Sequence, residues 1–138
     1  MQANRRVSRR EVGLRAAVWR LGGRGYRLGS TLPGRPDLAF PGVRLAVFFH
    51  GCFWHRCPTC DLALPKANRA FWSAKFAENR ARDDRVMADL EVLGWECLTV
   101  WEHEVRRDLD AAARLVVAAV AERRSTRGAR SAAAGGSR

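Results

Sequence analysis

The sequence predicts a mixed α/β domain, a small sheet with helices packed against it. Three observations predict it. Candidate helices and strands follow one another in the order helix, hairpin, irregular loop, helix, strand, helix. The run Leu45-Ala46-Val47-Phe48-Phe49 is nearly all apolar, which is the pattern of a central strand covered on both faces. Hydrophobic residues make up 47% of the 138, enough for one core in one domain and too many for wholesale disorder.

Each element has a local reason. Ser8-Arg9-Arg10-Glu11 fits a capping box that opens a helix over about 9–22. Its apolar positions are Val12, Leu14, Ala16, Val18, Trp19 and Leu21, and Gly22-Gly23 stops it. Tyr26 to Leu28 reads as a short strand, and Gly29 to Pro36 as a loop punctuated by Pro33-Gly34. Leu38–Phe40 and Val43–Phe49 form a hairpin about the Pro41-Gly42 turn. His50 to Lys66 has no periodicity. Asn68 caps a long helix with Phe71, Trp72, Phe76, Val86, Leu90 and Leu93 facing inward, and Gly94 ends it. Trp95 to Trp101 is a further strand, and Asp108 caps a last helix to about Arg124. Residues 125–138 hold Ser, Ala, Gly and Arg with no large apolar side chain, so a folded domain over 1–124 is expected to end in a disordered basic tail.

The formal net charge is +11, and it is uneven. Residues 1–10 and 121–138 carry nine arginines against one acid, Glu122, which leaves 11–120 at only +3. Such a balance favours a polyanion, nucleic acid before an anionic membrane surface. No apolar run approaches the roughly 18–20 residues of a membrane span, and the basic N-terminus lacks an apolar signal core. A cytoplasmic chain is expected, and there crowded cysteines point to metal rather than to disulfides.

Cys52, Cys57 and Cys60 stand as C-x4-C-x2-C in the irregular loop, a spacing that fills three corners of a zinc tetrahedron without strain. His103 is the best fourth ligand if the 95–101 strand lies beside the 43–49 strand. Cys97 reads as core. The plain alternative is three free thiols packing a loop. A second group could do chemistry: Asp37, His50 and His55, with Asp83 and Glu11 able to reach the same cleft from their helices. Carboxylates bind a hard divalent ion, and a histidine beside them can take a proton from an attacking water. Taken singly, Asp37 is an ordinary turn residue, Glu11 a capping residue and Asp83 a solvated one. Phe53 and Trp54 in the loop and Phe71-Trp72 on the next helix are core by default, yet aromatics beside a basic site can also wedge between base pairs.

The stretches LPGRPDLAFP, HGCFWHRCPTC, FW, NRARD and LGWECLTVWEHE, in that order over residues 11–105, resemble the very-short-patch repair (Vsr) DNA mismatch endonucleases. The resemblance implies a restriction-endonuclease-like fold, a PD-(D/E)xK variant with a central mixed sheet, flanking helices and a zinc-stabilised loop. It implies a Mg²⁺-dependent nick on the 5′ side of the thymine of a T:G mismatch in double-stranded DNA. Asp37 matches the metal-binding aspartate, and Phe49 the position that contacts Mg²⁺ through its backbone carbonyl. His50 and His55 match the active-site histidines, with His55 as acid–base group and Asp83 orienting it. Glu11 matches an N-terminal glutamate. Phe53, Trp54 and Trp72 match the intercalating aromatics. Cys52, Cys57, Cys60 and His103 match the structural Zn²⁺ site, although the usual family pattern has His where Cys57 stands, Cys where His103 stands and its third loop ligand elsewhere than Cys60. The family's DNA-reaching N-terminal segment is expected to be short here, with Met1 to Arg10 in its place.

The implied protein is a monomeric, nucleoid-associated bacterial enzyme, with other mismatch-repair proteins as further partners and no membrane. Two rivals share the motifs: a nickase of the same kind with a restriction or phage-defence target, and a catalytically silent zinc-containing DNA-binding protein. A basic ribosome-associated protein would explain the charge but not HGCFWH.

Overall fold

The structure, a computed structural model, describes residues 9–136. Its elements are α1 (Arg9–Arg20), β1 (Leu38–Phe40), β2 (Leu45–His50), α2 (Arg69–Val92), β3 (Glu96–Trp101), α3 (Glu102–Arg107) and α4 (Leu109–Gly136). The expected α/β architecture is present as a three-stranded mixed sheet in the order β1-β2-β3. β1 runs antiparallel to β2, with Leu38 opposite Val47 and Phe40 opposite Leu45. β3 runs parallel to β2, from Leu45 opposite Glu96 to His50 opposite Trp101. α2 is the crossover that a parallel pair requires.

β2 is central, and strand alternation splits its side chains between two layers. Leu45 and Val47 join Leu14, Val18, Phe40, Val100, Val105, Val116 and Val120 in the main core beneath α1 and α4. Ala46 and Phe48 face the other way and pack with Leu90 of α2, bordered by Leu32, Val86, Trp95 and Cys97. Burying this apolar surface is what holds the sheet. Gly94, at φ 83°, ends α2, and the Trp95 N–H then donates back to the Leu90 carbonyl.

Several local expectations are corrected. α1 ends at Arg20, and it buries Leu14, Ala17 and Val18, whereas Val12 and Trp19 stand about half exposed. The helix carries two apolar stripes, and the Leu14 stripe is the one that meets α4. Ser8 of the proposed capping box lies outside the described residues, and Glu11 is ion-paired with Arg15 one turn on. The Tyr26–Leu28 strand shrinks to one bridge between Arg27 and Ala39, because Gly25 and Gly29 take positive φ on either side. Val43 and Arg44 belong to the turn, with Arg44 at φ 53°. Asn68 precedes α2 in a left-handed conformation and makes no side-chain cap, and Phe71 and Leu93 face solvent.

α3 was not foreseen. It is one short turn and a half abutting β3, with Glu102 and Glu104 at its start and Arg106 and Arg107 at its end, the charge order that suits a helix dipole. Asp108 does cap α4, its Oδ1 accepting from the Ala111 N–H at 3.0 Å. α4 does not stop near Arg124 but runs on to Gly136, through the stretch expected to be a disordered tail. That stretch is rich in alanine and has no proline, and it extends a helix already nucleated on the core. Arg123 is structural: its guanidinium donates to the carbonyls of Val43, Arg44 and Gly94 and ties α4 to both turns at one end of the sheet. No helix among the described residues is long and apolar enough to cross a membrane.

Candidate active site and metal centre

The hairpin register places Asp37, one residue before β1, opposite the end of β2. The Phe49 N–H donates to its Oδ2 at 2.6 Å. Burial drives the Asp37 carboxyl up to about 6 from an ordinary 3.8, against the lowering effect of the Phe49 bond, and the negative charge of Glu11 adds to the rise. α1 brings Glu11 there, with Arg15 as its ion-pair partner. Asp37 is therefore a half-buried carboxylate with too little positive charge around it, a setting that suits a bound cation.

β2 ends on His50. Its ring stacks on that of His55 with centroids 3.8 Å apart and planes 5° from parallel, and the edge of Trp101 packs against it. Burial, and then the charge of His55, hold His50 down to about 4, so its imidazole is neutral at neutral pH. His55 Nδ1 lies 2.7 Å from Asp83 Oδ2. Burial pushes Asp83 up, but the His55 hydrogen bond and the nearby positive groups outweigh it and leave its carboxyl below the ordinary range. An ionised Asp83 accepts only, so Nδ1 of His55 carries a hydrogen, and in the neutral ring Nε2 is the nitrogen with the lone pair.

The ligand atoms of His50, His55 and Asp83 lie within 4.8 Å of one another, yet they do not make a metal cage. Imidazole lone pairs lie in the ring plane. Two rings stacked in parallel direct theirs within two parallel planes, which do not meet on one ion. The arrangement suits proton handling instead. Asp37, His50, His55 and Asp83 line one cleft of about 260 Å³, walled by the Pro33–Pro36 loop on one side and α2 on the other. All four expected residues thus come together, and Glu11 sits close enough to Asp37 to act on its charge. Two cations also line this cleft, Arg35 and Arg82, neither of which the sequence marks as a site residue.

α2 explains how its side of the cleft is built. Its inward positions run Trp72, Phe76, Asn79, Asp83, Val86 and Leu90, apolar at both ends and polar in the middle. Asn79, buried, donates to the Trp54 carbonyl at 3.2 Å, and Asp83 holds the next residue, His55. One face of one helix therefore fixes successive residues of the loop.

The same loop carries the cysteines. His103 Nδ1 lies 3.4 Å from Cys52 Sγ, 3.5 Å from Cys57 Sγ and 3.5 Å from Cys60 Sγ. All four ligand atoms fall within 4.8 Å of each other. Zinc bonds of about 2.3 Å to sulfur and about 2.0 Å to nitrogen, at tetrahedral angles, put sulfur and nitrogen roughly 3.5 Å apart. The donor set and its spacing fit zinc. β3 and α3 deliver His103 because β3 lies beside β2. Glu102 anchors the site from behind, accepting from the Cys52 N–H at 3.3 Å and pairing with Arg10 at 2.9 Å. Cys97 stands apart, packed against the smaller core cluster.

Phe53, Trp54, Trp72 and Phe76 form one aromatic cluster, with centroid separations of 5.2–5.6 Å. Phe76 is its buried base, and Phe71, 60% exposed, extends its rim. Arg56, between His55 and the zinc-type ligand Cys57, lays its guanidinium 4.4 Å from the centre of the Phe76 ring. The three proposed wedge residues are therefore together, backed by a cation and by the loop.

Comparisons with known proteins place the chain among relatives. The family described as DNA mismatch endonuclease Vsr matches residues 1–61. The chain is 42% identical over 118 residues to the type II nicking enzyme V.NaeI of Lentzea aerocolonigenes, an alignment covering 81% of this chain and 70% of that one. It is 39% identical to the type II nicking enzyme V.XorIIP of Xanthomonas oryzae pv. oryzae, over 75% of this chain and 76% of the relative. It is 40% identical to the DNA mismatch endonuclease Vsr of Escherichia coli K12 over 56% of this chain and 49% of that protein.

Proposed function

The chain belongs to the family of the DNA mismatch endonuclease Vsr and is a DNA endonuclease, and on that premise we propose that it nicks one strand of double-stranded DNA 5′ to the thymine of a T:G mismatch, using Mg²⁺ at Asp37. The observation that carries this reading is the cleft itself. It sets an under-compensated carboxylate, Asp37, across from a histidine whose proton-accepting nitrogen is fixed by Asp83. The fold reading that goes with it is a restriction-endonuclease-like core of the PD-(D/E)xK kind, with the zinc loop as its staple.

Asp37 and the Phe49 carbonyl would hold the magnesium ion, with Glu11 adding negative charge behind them. A divalent ion there orients water and offsets charge on the phosphate. His55 accepts the proton of the attacking water at Nε2. The water oxygen bonds to phosphorus as the bond to the leaving sugar oxygen breaks, and that oxygen takes a proton from solvent. Asp83 keeps the His55 ring oriented and stabilises the imidazolium that forms. His50 stays neutral and supplies the flat face on which that ring rests. Phe53, Trp54 and Trp72 would wedge beside the mismatch and open the duplex over the cleft. Arginines near the chain termini add sequence-blind attraction to phosphate.

The names of the nicking-enzyme relatives favour a second reading of the target, a nickase of the same chemistry that serves a restriction system. A strand-resolved nicking assay on T:G, T:A and C:G duplexes, with and without Mg²⁺, separates the two. Mg²⁺-dependent product from the T:G duplex alone supports mismatch repair. Equal nicking of matched duplexes defeats it in favour of the second reading.

A further inference from the structure

The acids of the cleft already have tasks, and the substrate adds further negative charge. Asp37 and Asp83 line it, and Glu11 stands behind Asp37, while both histidines are spoken for. A phosphodiester brings another negative charge, and more develops as phosphorus becomes five-coordinate. A metal at Asp37 serves only that side. Arg15 is committed to Glu11. Two other cations line the same cleft, Arg35 from the loop before β1 and Arg82 from α2. Among the described residues neither is within ion-pair distance of an acid. Arg82 makes one long contact, 3.5 Å, with Asn79 Oδ1.

One close contact holds the two backbone segments that carry these arginines together. Gly34, at φ 74°, packs against Val86 of α2 so closely that a Cβ there would lie 2.4 Å from Val86 Cγ1. Arg35 is the next residue along the loop, and Arg82 is one helical turn before Val86. The Gly34–Val86 contact therefore sets both arginines at one part of the cleft wall. Arg35 itself has φ 49°, a left-handed conformation that is uncommon for a residue of its bulk. Strain of this kind persists where the surroundings impose it, and it gathers at functional sites.

We propose that Arg35 and Arg82 form a two-point clamp on the non-bridging oxygens of the scissile phosphodiester, in the same cleft as Asp37, and that the clamp tightens as charge builds in the transition state. The proposal rests on the nicking reading above. Planar guanidinium groups suit this work, since each can offer two parallel N–H donors to a phosphate. With their backbone positions already set at the cleft, only the two side chains need to close on the phosphate.

The test compares wild-type protein with Arg35→Gly, Arg82→Gln and the two lysine variants on a T:G duplex. Glycine accepts the positive φ at 35 without strain, so Arg35→Gly removes the guanidinium while easing the backbone. Single-turnover nicking at saturating Mg²⁺ is expected to fall about 10²-fold in each deletion. Duplex affinity measured in Ca²⁺ is expected to change by less than about threefold, the split that marks loss of an interaction made in the transition state. Arg35→Lys and Arg82→Lys are expected to recover only part of the rate, because lysine keeps the charge without the fork. Should a deletion variant melt early, its lysine counterpart gives the decisive comparison. Wild-type rates in both deletions overturn the clamp while leaving the nicking reading in place. A fall in rate matched by an equal fall in affinity also overturns it, in favour of general attraction to DNA. If the wild-type protein itself gives no Mg²⁺-dependent nick on any duplex, the nicking reading fails and takes the clamp with it.

Discussion

The loop after β2 serves two clusters built from similar residue types, and they are opposites in geometry. In the Cys52, Cys57, Cys60 and His103 cluster, four donor atoms converge on one point, three sulfurs at 3.4–3.5 Å from one nitrogen. In the His50, His55 and Asp83 cluster, the rings lie parallel at 3.8 Å, and one nitrogen is already bound to the carboxylate. The first is closed, the geometry expected of a group that holds the chain through a metal ion. The second opens on a cleft, and in the proposed reaction its free nitrogen faces substrate. Proximity of potential ligands is the same in both clusters, and direction of the lone pairs is what separates them. The two clusters are also joined. His55 and Cys57 are separated only by Arg56, so the staple on one side sets the register of the chemistry on the other.

The sharpest way to break this contrast is to remove a ligand from the closed cluster. Cys57→Ala is expected to lower bound zinc from one per chain to near zero and to drop the melting temperature by well over 10 °C, since losing a structural metal removes several kcal/mol and each is worth about 4 °C or more at this size. Nicking should vanish with it, because the loop carries His55. Elemental analysis beside a thermal melt checks this, and a folded, zinc-free, active variant would dismantle the idea of a staple. Asp37→Ala comes next. It is expected to cut nicking about 10³-fold, the equivalent of roughly 4 kcal/mol of lost charge stabilisation, with zinc content and duplex binding unchanged. Retained nicking would remove Asp37 from the metal role.

Asp83→Asn should have a smaller effect, about 10²-fold on the rate. The amide can offer a donor to Nδ1 in place of an acceptor and so favour the wrong tautomer of His55. Zinc content should not move. A variant that lost zinc as well as rate would show the two clusters to be less separate than their geometry says.

Much of this was legible in the sequence, and the limits have physical causes. The all-apolar run at Leu45–Phe49 announced a central strand, and β2 is that strand. The cysteine spacing and the strand before His103 announced the closed cluster. Asp37, His50, His55 and Asp83 stand out in the sequence by residue type and motif, and they meet in one cleft. What the sequence hid was orientation. α1 offers two apolar stripes, and only the packing of α4 decides that Leu14 and Val18 go in while Val12 and Trp19 stay out. α3 is too short for periodicity to declare it. Helix beyond Arg124 rests on alanine propensity and on the helix before it, which composition alone read as disorder. Arg35 and Arg82 looked like two more arginines in a chain with 25 basic residues. Only the Gly34–Val86 contact shows that they share a wall.

The smallest effect is a pH dependence, and it tests the open cluster's partner, Asp37. Its carboxyl is raised to about 6, chiefly by burial, from an ordinary 3.8. The folded chain therefore binds this proton more tightly than the unfolded chain does. Above about pH 6 both states are ionised, and the buried charge counts against folding. Below about pH 4 both are protonated, and the difference is gone. Without magnesium, Asp37→Asn should accordingly melt higher than wild type at about pH 8, with the gain shrinking as pH falls from 6 toward 4. A gain that instead grew on acidification would mean that Asp37 is stabilised as a carboxylate, with the sign of its environment reversed. Magnesium and the proton compete for the same oxygens, so nicking should fall toward tenfold per pH unit below about 6, and added Mg²⁺ should move that limb to lower pH. His50, held down to about 4, is still neutral near pH 6, where that limb begins. An acid limb that ignored magnesium would assign the titration to a group other than Asp37, and would break the division of labour between the carboxylate that receives the metal and the histidine that receives the proton.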